Sequence, residues 1–334
     1  MSQLITYSQN VFIPVTNVCR NQCTYCGFRR SPTHKDAFLM TEKEVTDVIL
    51  KGAAAGCTEA LLTFGELPDS IFEFNTRFEK TLAPFDSFAD YVAHLSRLCL
   101  KNGLLPHTNG GIFSQKDLEL LAPLNAGMGL MLETMADISA HTGCPGKIPS
   151  VRLDFIERAG KMKIPFTTGL LIGIGETKED QIQSLYEIGR LHEKYGHIQE
   201  VILQNYTPNA GHSPSGTLKP PSKKDMKTIV LLANEILPPD ISIQVPPNLI
   251  PPTELIKYRV TDLGGISPIT IDYINPQSAW PKIEELTALL NSGGYELKER
   301  LPIYPKYVKE GWGGRETLGL IQALSDENGY RKSV

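Results

Sequence analysis

The chain has 334 residues, 41% of them hydrophobic and 21% charged, which is the composition of a globular protein and excludes a fibrous or disordered one. A formal net charge of −4 and a pI near 6.0 give it no general attraction for nucleic acid or an anionic membrane surface. The opening residues Met1-Ser2-Gln3-Leu4-Ile5-Thr6 lack the basic region and apolar run of a signal peptide, and no apolar stretch has the length of a membrane span. A cytoplasmic protein with no membrane or nucleic-acid partner is therefore expected, in the compartment where free thiols survive.

Val11-Phe12-Ile13-Pro14-Val15-Thr16 is apolar and β-branched and predicts a first strand. A loop with three cysteines follows. Thr41 and Glu44 have the spacing of a capping box and open a helix that ends near Gly56. Residues 60–64 form the second strand, ending at Gly65-Glu66, and 67–85 read as a polar and aromatic insertion. A helix over 87–101, a strand over 104–108 and the turn Asn109-Gly110-Gly111 come next. Residues 115–121 are helical, and the fourth strand spans 127–132 and ends at Glu133. The pattern continues with a helix at 151–162, a strand at 166–172 and a helix at 178–195. Strand six, 201–204, precedes Asn205-Tyr206 and a Pro/Gly/Ser-rich loop, 207–221, expected to be a mobile lid. A helix at 223–237, a strand at 241–245, an eighth strand or loop at 264–272 and a helix at 283–291 complete the series.

Strand and helix thus alternate about eight times without a compositional break, which predicts parallel strands with helical crossovers and, at this length, a closed (β/α)8 TIM-type barrel over 1–291. A doubly wound open sheet is the alternative. The stretch 292–334 is too irregular for another βα unit and is expected to cap the barrel, with Tyr307 and Trp312 packing into it; a partner-binding surface built on those two residues is the alternative.

Cys19, Cys23 and Cys26 are spaced C-x3-C-x2-C on one short loop. Thiolates are soft ligands that suit iron–sulfur clusters, and a cluster ordinarily takes four cysteines. Three of them would hold three irons of a 4Fe–4S cube and leave the fourth iron open. Structural zinc requires four ligands, and no partner C-x2-C or H-x3-H occurs. A disulfide would strand one thiol of the three. Cys57 and Cys99 fall on helical patterns and read as core; Cys144, in a loop, could face the site.

In a parallel barrel the chemistry gathers at the C-terminal strand ends. Polar residues recur at those positions: Glu66, His107 with Asn109, Glu133, the Gly173 turn, Gln204 with Asn205 and Tyr206, and Gln244.

The cysteine spacing, with Tyr25 directly before the last cysteine, resembles the radical S-adenosylmethionine (SAM) superfamily. The resemblance implies that SAM chelates the open iron and is cleaved reductively to a 5′-deoxyadenosyl radical. It also implies SAM contacts. Tyr25 would pack on the adenine, Gly65-Glu66 would receive the methionine ammonium, and Glu133 would meet the ribose hydroxyls. Arg152 would pair with the carboxylate, and Gly173–Gly175 would lie along the adenine. Only one glycine precedes Glu66 where many members have two.

Further segments resemble one family within the superfamily, the small radical SAM subunit of 7,8-didemethyl-8-hydroxy-5-deazariboflavin (FO) synthase, CofG. They are Leu104-Leu105-Pro106-His107-Thr108-Asn109, Gln204-Asn205-Tyr206, Gln244-Val245-Pro246-Pro247-Asn248-Leu249, Gly264-Gly265-Ile266-Ser267-Pro268, Asn275-Pro276 and Trp280-Pro281. That family implies a carbon–nitrogen lyase of coenzyme F420 precursor biosynthesis. It would close the central ring, with loss of ammonia, in 5-amino-5-(4-hydroxybenzyl)-6-(D-ribitylimino)-5,6-dihydrouracil. It also implies an external electron donor and a separate radical SAM partner that supplies this adduct. His107, Asn109, Gln204, Asn205 and Tyr206 are the candidate substrate contacts, with Gln244 and Tyr273 beside them. Another radical SAM enzyme making biotin, thiazole or a metal-centre ligand is the nearest alternative, and a non-catalytic iron–sulfur carrier is a second.

Overall fold

The computed structural model describes residues 3–208 and 218–333. The lid expected over 207–221 therefore lies largely outside the described residues. Eight parallel strands form the barrel: β1 (Gln3–Thr16), β2 (Glu59–Phe64), β3 (Leu105–Asn109), β4 (Gly127–Gly129), β5 (Phe166–Ile172), β6 (Ile198–Asn205), β7 (Ser242–Gln244) and β8 (Asp262–Ile266). They neighbour one another in chain order, and β1 pairs with both β8 and β2, so the sheet closes on itself.

Helices cross between consecutive strands: α1 (Glu42–Ala54), α2 (Phe72–Arg77), α3 (Glu79–Leu82), α4 (Phe88–Lys101), α5 (Gln115–Leu121), α6 (Pro149–Lys161), α7 (Lys178–Tyr195), α8 (Lys223–Ile236) and α9 (Ile283–Ser292). Several begin on a side-chain cap that satisfies their first free N–H groups. Thr41 and Glu44 form the predicted capping box of α1, and Thr177 with Asp180 and Ser222 with Asp225 repeat it at α7 and α8. The helices bury Val45 and Ile49, Leu95 and Cys99, Phe155 and Ile156, and Ile188 and Leu191 in one apolar layer around the barrel.

Four expectations are corrected. The insertion 67–85 is helical, with Phe74 of α2 fully buried. Strand four is only Gly127–Gly129, and beyond it Glu133 makes an isolated bridge to Leu170. Strand six starts three residues earlier than its apolar run, at Ile198 rather than 201, because Gln199 and Glu200 are polar residues facing buried partners. The fourth correction concerns the tail, which does contain a βα-type element. After α9, β9 (Tyr295–Arg300) pairs in parallel with Gln3–Ser8 of β1, the flank that β2 leaves bare by pairing only from Asn10 onward.

The tail continues with α10 (Pro305–Lys309) and α11 (Leu318–Leu324). Leu301, Ile303, Tyr304, Tyr307 and Ile321 pack with Leu105 and Ala126, at the start of β3 and just before β4. The tail therefore packs against the N-terminal ends of β3 and β4.

Candidate active site

The loop after β1 lies against the end of β2. The Thr16 carbonyl accepts from Gly65 N–H at 3.0 Å, the Glu66 carbonyl accepts from Arg20 N–H at 3.0 Å, and Glu66 N–H donates to Cys19 Sγ at 3.2 Å. Only glycine fits at 65. A Cβ there would stand 2.0 Å from the Val18 carbonyl oxygen and 2.6 Å from Cys19 Cβ. Arg29 N–H points at Cys26 Sγ, 3.4 Å away. Cys19, Cys23 and Cys26 line one cavity of about 250 Å3. Among the described residues, no group of three or more His, Cys, Asp or Glu is arranged to hold a single metal ion. Three thiols on one cavity wall would suit a multi-iron cluster, with Cys19, Cys23 and Cys26 as its ligands, rather than a single ion.

Cys144 is buried beside this loop. It accepts from Gln22 N–H at 3.2 Å and hydrogen-bonds Cys23. That contact draws the Cys23 thiol down to about 7, while burial pushes Cys19 up to about 11 and Cys26 upward as well. Cys57 and Cys99 are buried in the core, as expected of small apolar residues; Cys99 lies on α4, whereas Cys57 falls not on a helix but in the connection between α1 and β2.

The same cavity gathers charged side chains. Arg152 is 3% exposed and donates to the Met131 carbonyl, while its Nε is buried with no partner among the described residues. Glu133, at φ 70°, is 2.5 Å from Lys147 Nζ. Despite its burial, Lys147 and Arg152 hold its carboxyl below the usual range. Glu66 is not a free carboxylate: Arg20 Nε sits 2.9 Å from its Oε1, and Ile112 N–H donates to Oε2 at 3.3 Å. Tyr25 OH is 3.0 Å from His141 Nε2, and its ring adjoins an apolar cluster of Ile138, Ala140, Leu171, Ile174, Tyr206 and Leu218.

A second cavity of about 160 Å3 lies deeper in the barrel and shares Asn109, Gln204, Ile274 and Asn275 with the first. His107 and Gln244 line it.

Comparison with known proteins agrees with this geometry. A profile of the radical SAM superfamily matches residues 13–187. The chain is 50% identical to the 7,8-didemethyl-8-hydroxy-5-deazariboflavin synthase of Methanococcoides burtonii, covering 99% of both chains. It is 53% identical to the synthase of the same name from Methanosarcina mazei, over 98% of this chain and 96% of that one. The identity is 45% with that of Archaeoglobus fulgidus, over 99% of both.

The chain belongs to the 7,8-didemethyl-8-hydroxy-5-deazariboflavin synthase family of radical SAM enzymes.

Among solved structures, the FeFe-hydrogenase maturase HydG from Carboxydothermus hydrogenoformans superposes with a TM-score of 0.70 over 96% of this chain and 78% of that one. Methylornithine synthase superposes at 0.65 over 88% and 83%. At 20% and 17% identity these two share the fold only.

Radical SAM membership implies a 4Fe–4S cluster and SAM, and the residues present fit both groups. The cavity offers three thiols, two of them already accepting backbone N–H groups, and a lining arginine, Arg152, whose buried Nε has no partner among the described residues. Tyr25, Gly65, Glu66, Glu133 and Arg152 all reach this wall, as do Asn109, Gln204 and Tyr206. Other candidates stand off it. Gly173 and Gly175 have φ of 98° and 113° but are not on the wall, where Leu171 and Tyr206 take that side. The N–H groups of Gly173 and Ile174 are capped by Glu176, each at 2.9 Å. Asn205 lines neither cavity, because inward positions on β6 are Glu200, Ile202 and Gln204 and successive residues alternate faces. Its Nδ2 instead points at Thr207 Oγ1 and the Leu249 carbonyl, both at 3.4 Å.

Lys147, His141 and Arg20 were not anticipated. Arg20 lies in a loop, and His141 and Lys147 each end a three-residue 3-10 turn that no regular patterning marks. For Lys147 the available signal was its place five residues before Arg152, on the approach to α6.

Proposed function

We propose that this chain forms 7,8-didemethyl-8-hydroxy-5-deazariboflavin by radical ring closure, with loss of ammonia, from the tyrosine-derived adduct of a ribityl-bearing diaminouracil. The observation that carries this reading is the joint position of Cys19, Cys23, Cys26 and Arg152, whose Nε has no partner among the described residues, on one cavity that continues into a polar shaft inside the barrel. Near-full-length identity of about half to synthases of that name supports the choice of product.

Cys19, Cys23 and Cys26 hold the cluster. Arg152 Nε meets the carboxylate of SAM, a charge-assisted bond suited to a buried guanidinium. Tyr25 and the apolar residues next to it enclose the adenine, and Glu133, fixed by Lys147, accepts ribose hydroxyls. Cluster and SAM supply, when bound, the one-electron chemistry that begins hydrogen abstraction; the protein binds, orients and shields. Asn109 and Gln204 stand where the two cavities meet and offer amide groups to the uracil ring. The enclosed barrel, with the tail packed against its N-terminal end, keeps water from the reacting atoms. A separate radical SAM protein supplies the adduct, an external donor supplies the electron, and the cytoplasm is the setting.

Anaerobic incubation of reconstituted protein with SAM, a reductant and the adduct tests this. Fluorescent deazaflavin and ammonia should appear together in equal amounts. SAM cleavage without deazaflavin from an intact cluster would move the chain to another radical SAM chemistry. A loaded cluster that never cleaves SAM would mark a carrier.

A further inference from the structure

The deeper cavity ends on a charged floor that the described mechanism does not use. Its keystone is Arg300, brought in by β9 of the tail and only 3% exposed. The guanidinium donates from Nε to Asp262 Oδ2 at 2.7 Å, from Nη2 to Glu200 Oε2 at 2.7 Å and Asp262 Oδ1 at 2.8 Å, and from Nη1 to the Leu301 carbonyl at 3.0 Å. Those four bonds occupy four of the five N–H groups a guanidinium has. Tyr304 OH donates to Glu200 as well. Arg300 is the one lysine or arginine among the described residues lining this cavity, and its own neighbours consume it.

What remains around the cavity includes two buried amide oxygens and one indole N–H, Trp280 Nε1, with no partner among the described residues. Glu59 is buried with its Oε1 3.5 Å from His107 Nδ1. Burial drives His107 down to about 3, so the imidazole is neutral and adds no positive charge. Asn10, opposite Glu59 in the β1–β2 register and 1% exposed, has an Oδ1 with no partner among the described residues. Asn248 Oδ1, higher on the same wall, is unpartnered too. Space for the Asn10 side chain depends on Gly265, whose Cβ would lie 2.1 Å from Asn10 Nδ2. A buried polar atom without a partner is costly, and a set that mixes acceptors with a donor is complementary to hydroxyl groups, each of which both donates and accepts. A phosphate would find no free cation among the described residues around this cavity, since its arginine is already spent on Asp262 and Glu200.

We propose that this floor is the seat of the substrate's ribityl chain, with Asn10 and Glu59 accepting its terminal hydroxyls, and that it selects the free polyol against a 5′-phosphorylated one. The proposal rests on the deazaflavin-forming reading. The uracil and phenol must lie near SAM in the upper cavity, and the chain that does not react extends into the lower one.

The test is equilibrium binding to anaerobic, cluster-loaded protein, read by the ligand's own fluorescence. Three probes are compared: the deazaflavin product, its analogue with methyl in place of ribityl, and its 5′-phosphate. The product should bind about tenfold or more tightly than either of the others, the value of one or two hydrogen bonds. Asn10→Leu should bring the product to within about threefold of the methyl analogue while leaving the analogue's affinity unchanged; Asn10→Ser serves if the leucine variant misfolds. Equal binding of product and methyl analogue by the wild type overturns the proposal, as does a phosphate bound as well as the product. Deazaflavin synthesis from the adduct is scored in parallel. Its absence overturns the underlying activity, whereas synthesis with no preference for the polyol overturns the ribityl site alone.

Discussion

Replacing Gly65 by Ala probes how tightly the cluster loop is pinned to the barrel. The added Cβ would fall 2.0 Å from the Val18 carbonyl oxygen and 2.6 Å from Cys19 Cβ. Real contacts of this kind do not fall below 3.0 Å, so the Val18–Cys19 backbone must retreat by about 1 Å. It has little freedom to do so. Val18 is fully buried, and the loop is tied to β2 through Gly65 and Glu66 N–H. Overpacking of this kind costs about 1–3 kcal/mol, and a displacement of about 1 Å in a positioned group can cost about 10²-fold in rate. Gly65→Ala should therefore fold, as judged by far-ultraviolet circular dichroism, yet retain much less iron and sulfide after anaerobic reconstitution. Its deazaflavin production should fall about 10²-fold or more. Gly189→Ala is the control. Its Cβ meets nothing nearer than 3.5 Å, and the substitution inside α7 should stabilise the chain by roughly 0.5–1 kcal/mol. A Gly65→Ala protein with full iron and activity within about threefold of wild type would refute the steric reasoning.

Arg152→Gln should weaken SAM binding by about 10- to 100-fold, the value of a charge-assisted hydrogen bond, with iron content unchanged; equilibrium dialysis with labelled SAM measures it. Gln204→Ala, in the wall of both cavities, should raise the KM for the adduct about tenfold, whereas Asn205→Ala, facing away, should leave it nearly unchanged; steady-state kinetics on the two variants decides. Burial raises Glu299 to about 7 from an ordinary 4.5. The folded state therefore holds this proton more tightly than the unfolded one, and the associated stability, full below about pH 4.5, is lost as pH rises through 7. Glu299→Gln should accordingly raise the midpoint of thermal unfolding at pH 8 and change it little at pH 5. A gain of the same size at both pH values would contradict that assignment.

The parts of the molecule legible in the sequence are those governed by local rules. The capping boxes at Thr41, the β-branched run into Thr16 and the cysteine loop each depend on neighbours a few residues apart. Strand existence was legible for the same reason. Which face a residue takes was not always so. Gln204 and Asn205 look equally polar in sequence, but a shift of one position in a strand turns a side chain from the cavity to the other side. The charged floor was hidden because its members are distant in the chain: Arg300 reaches Asp262 across 38 residues and Glu200 across 100. The run Tyr295-Glu296-Leu297-Lys298-Glu299-Arg300 looks like a solvated segment, and only the bare flank of β1 makes it a strand. Lys147 and Glu133 come together because the connection from β4 to α6 folds back on the cysteine loop, where Ala140 O accepts from Thr24 N–H at 3.2 Å. No periodicity announces such a contact.

Three thiols holding one cluster while SAM takes the remaining iron is the proposition on which the chemistry depends. Mössbauer spectroscopy of 57Fe-reconstituted protein, recorded with and without SAM, addresses it directly. The expected result is a four-iron cluster in which one iron changes its parameters when SAM is added, and whose assembly is lost in the Cys19→Ser, Cys23→Ser and Cys26→Ser variants. Four irons indifferent to SAM, or zinc held by the same three cysteines, would contradict it.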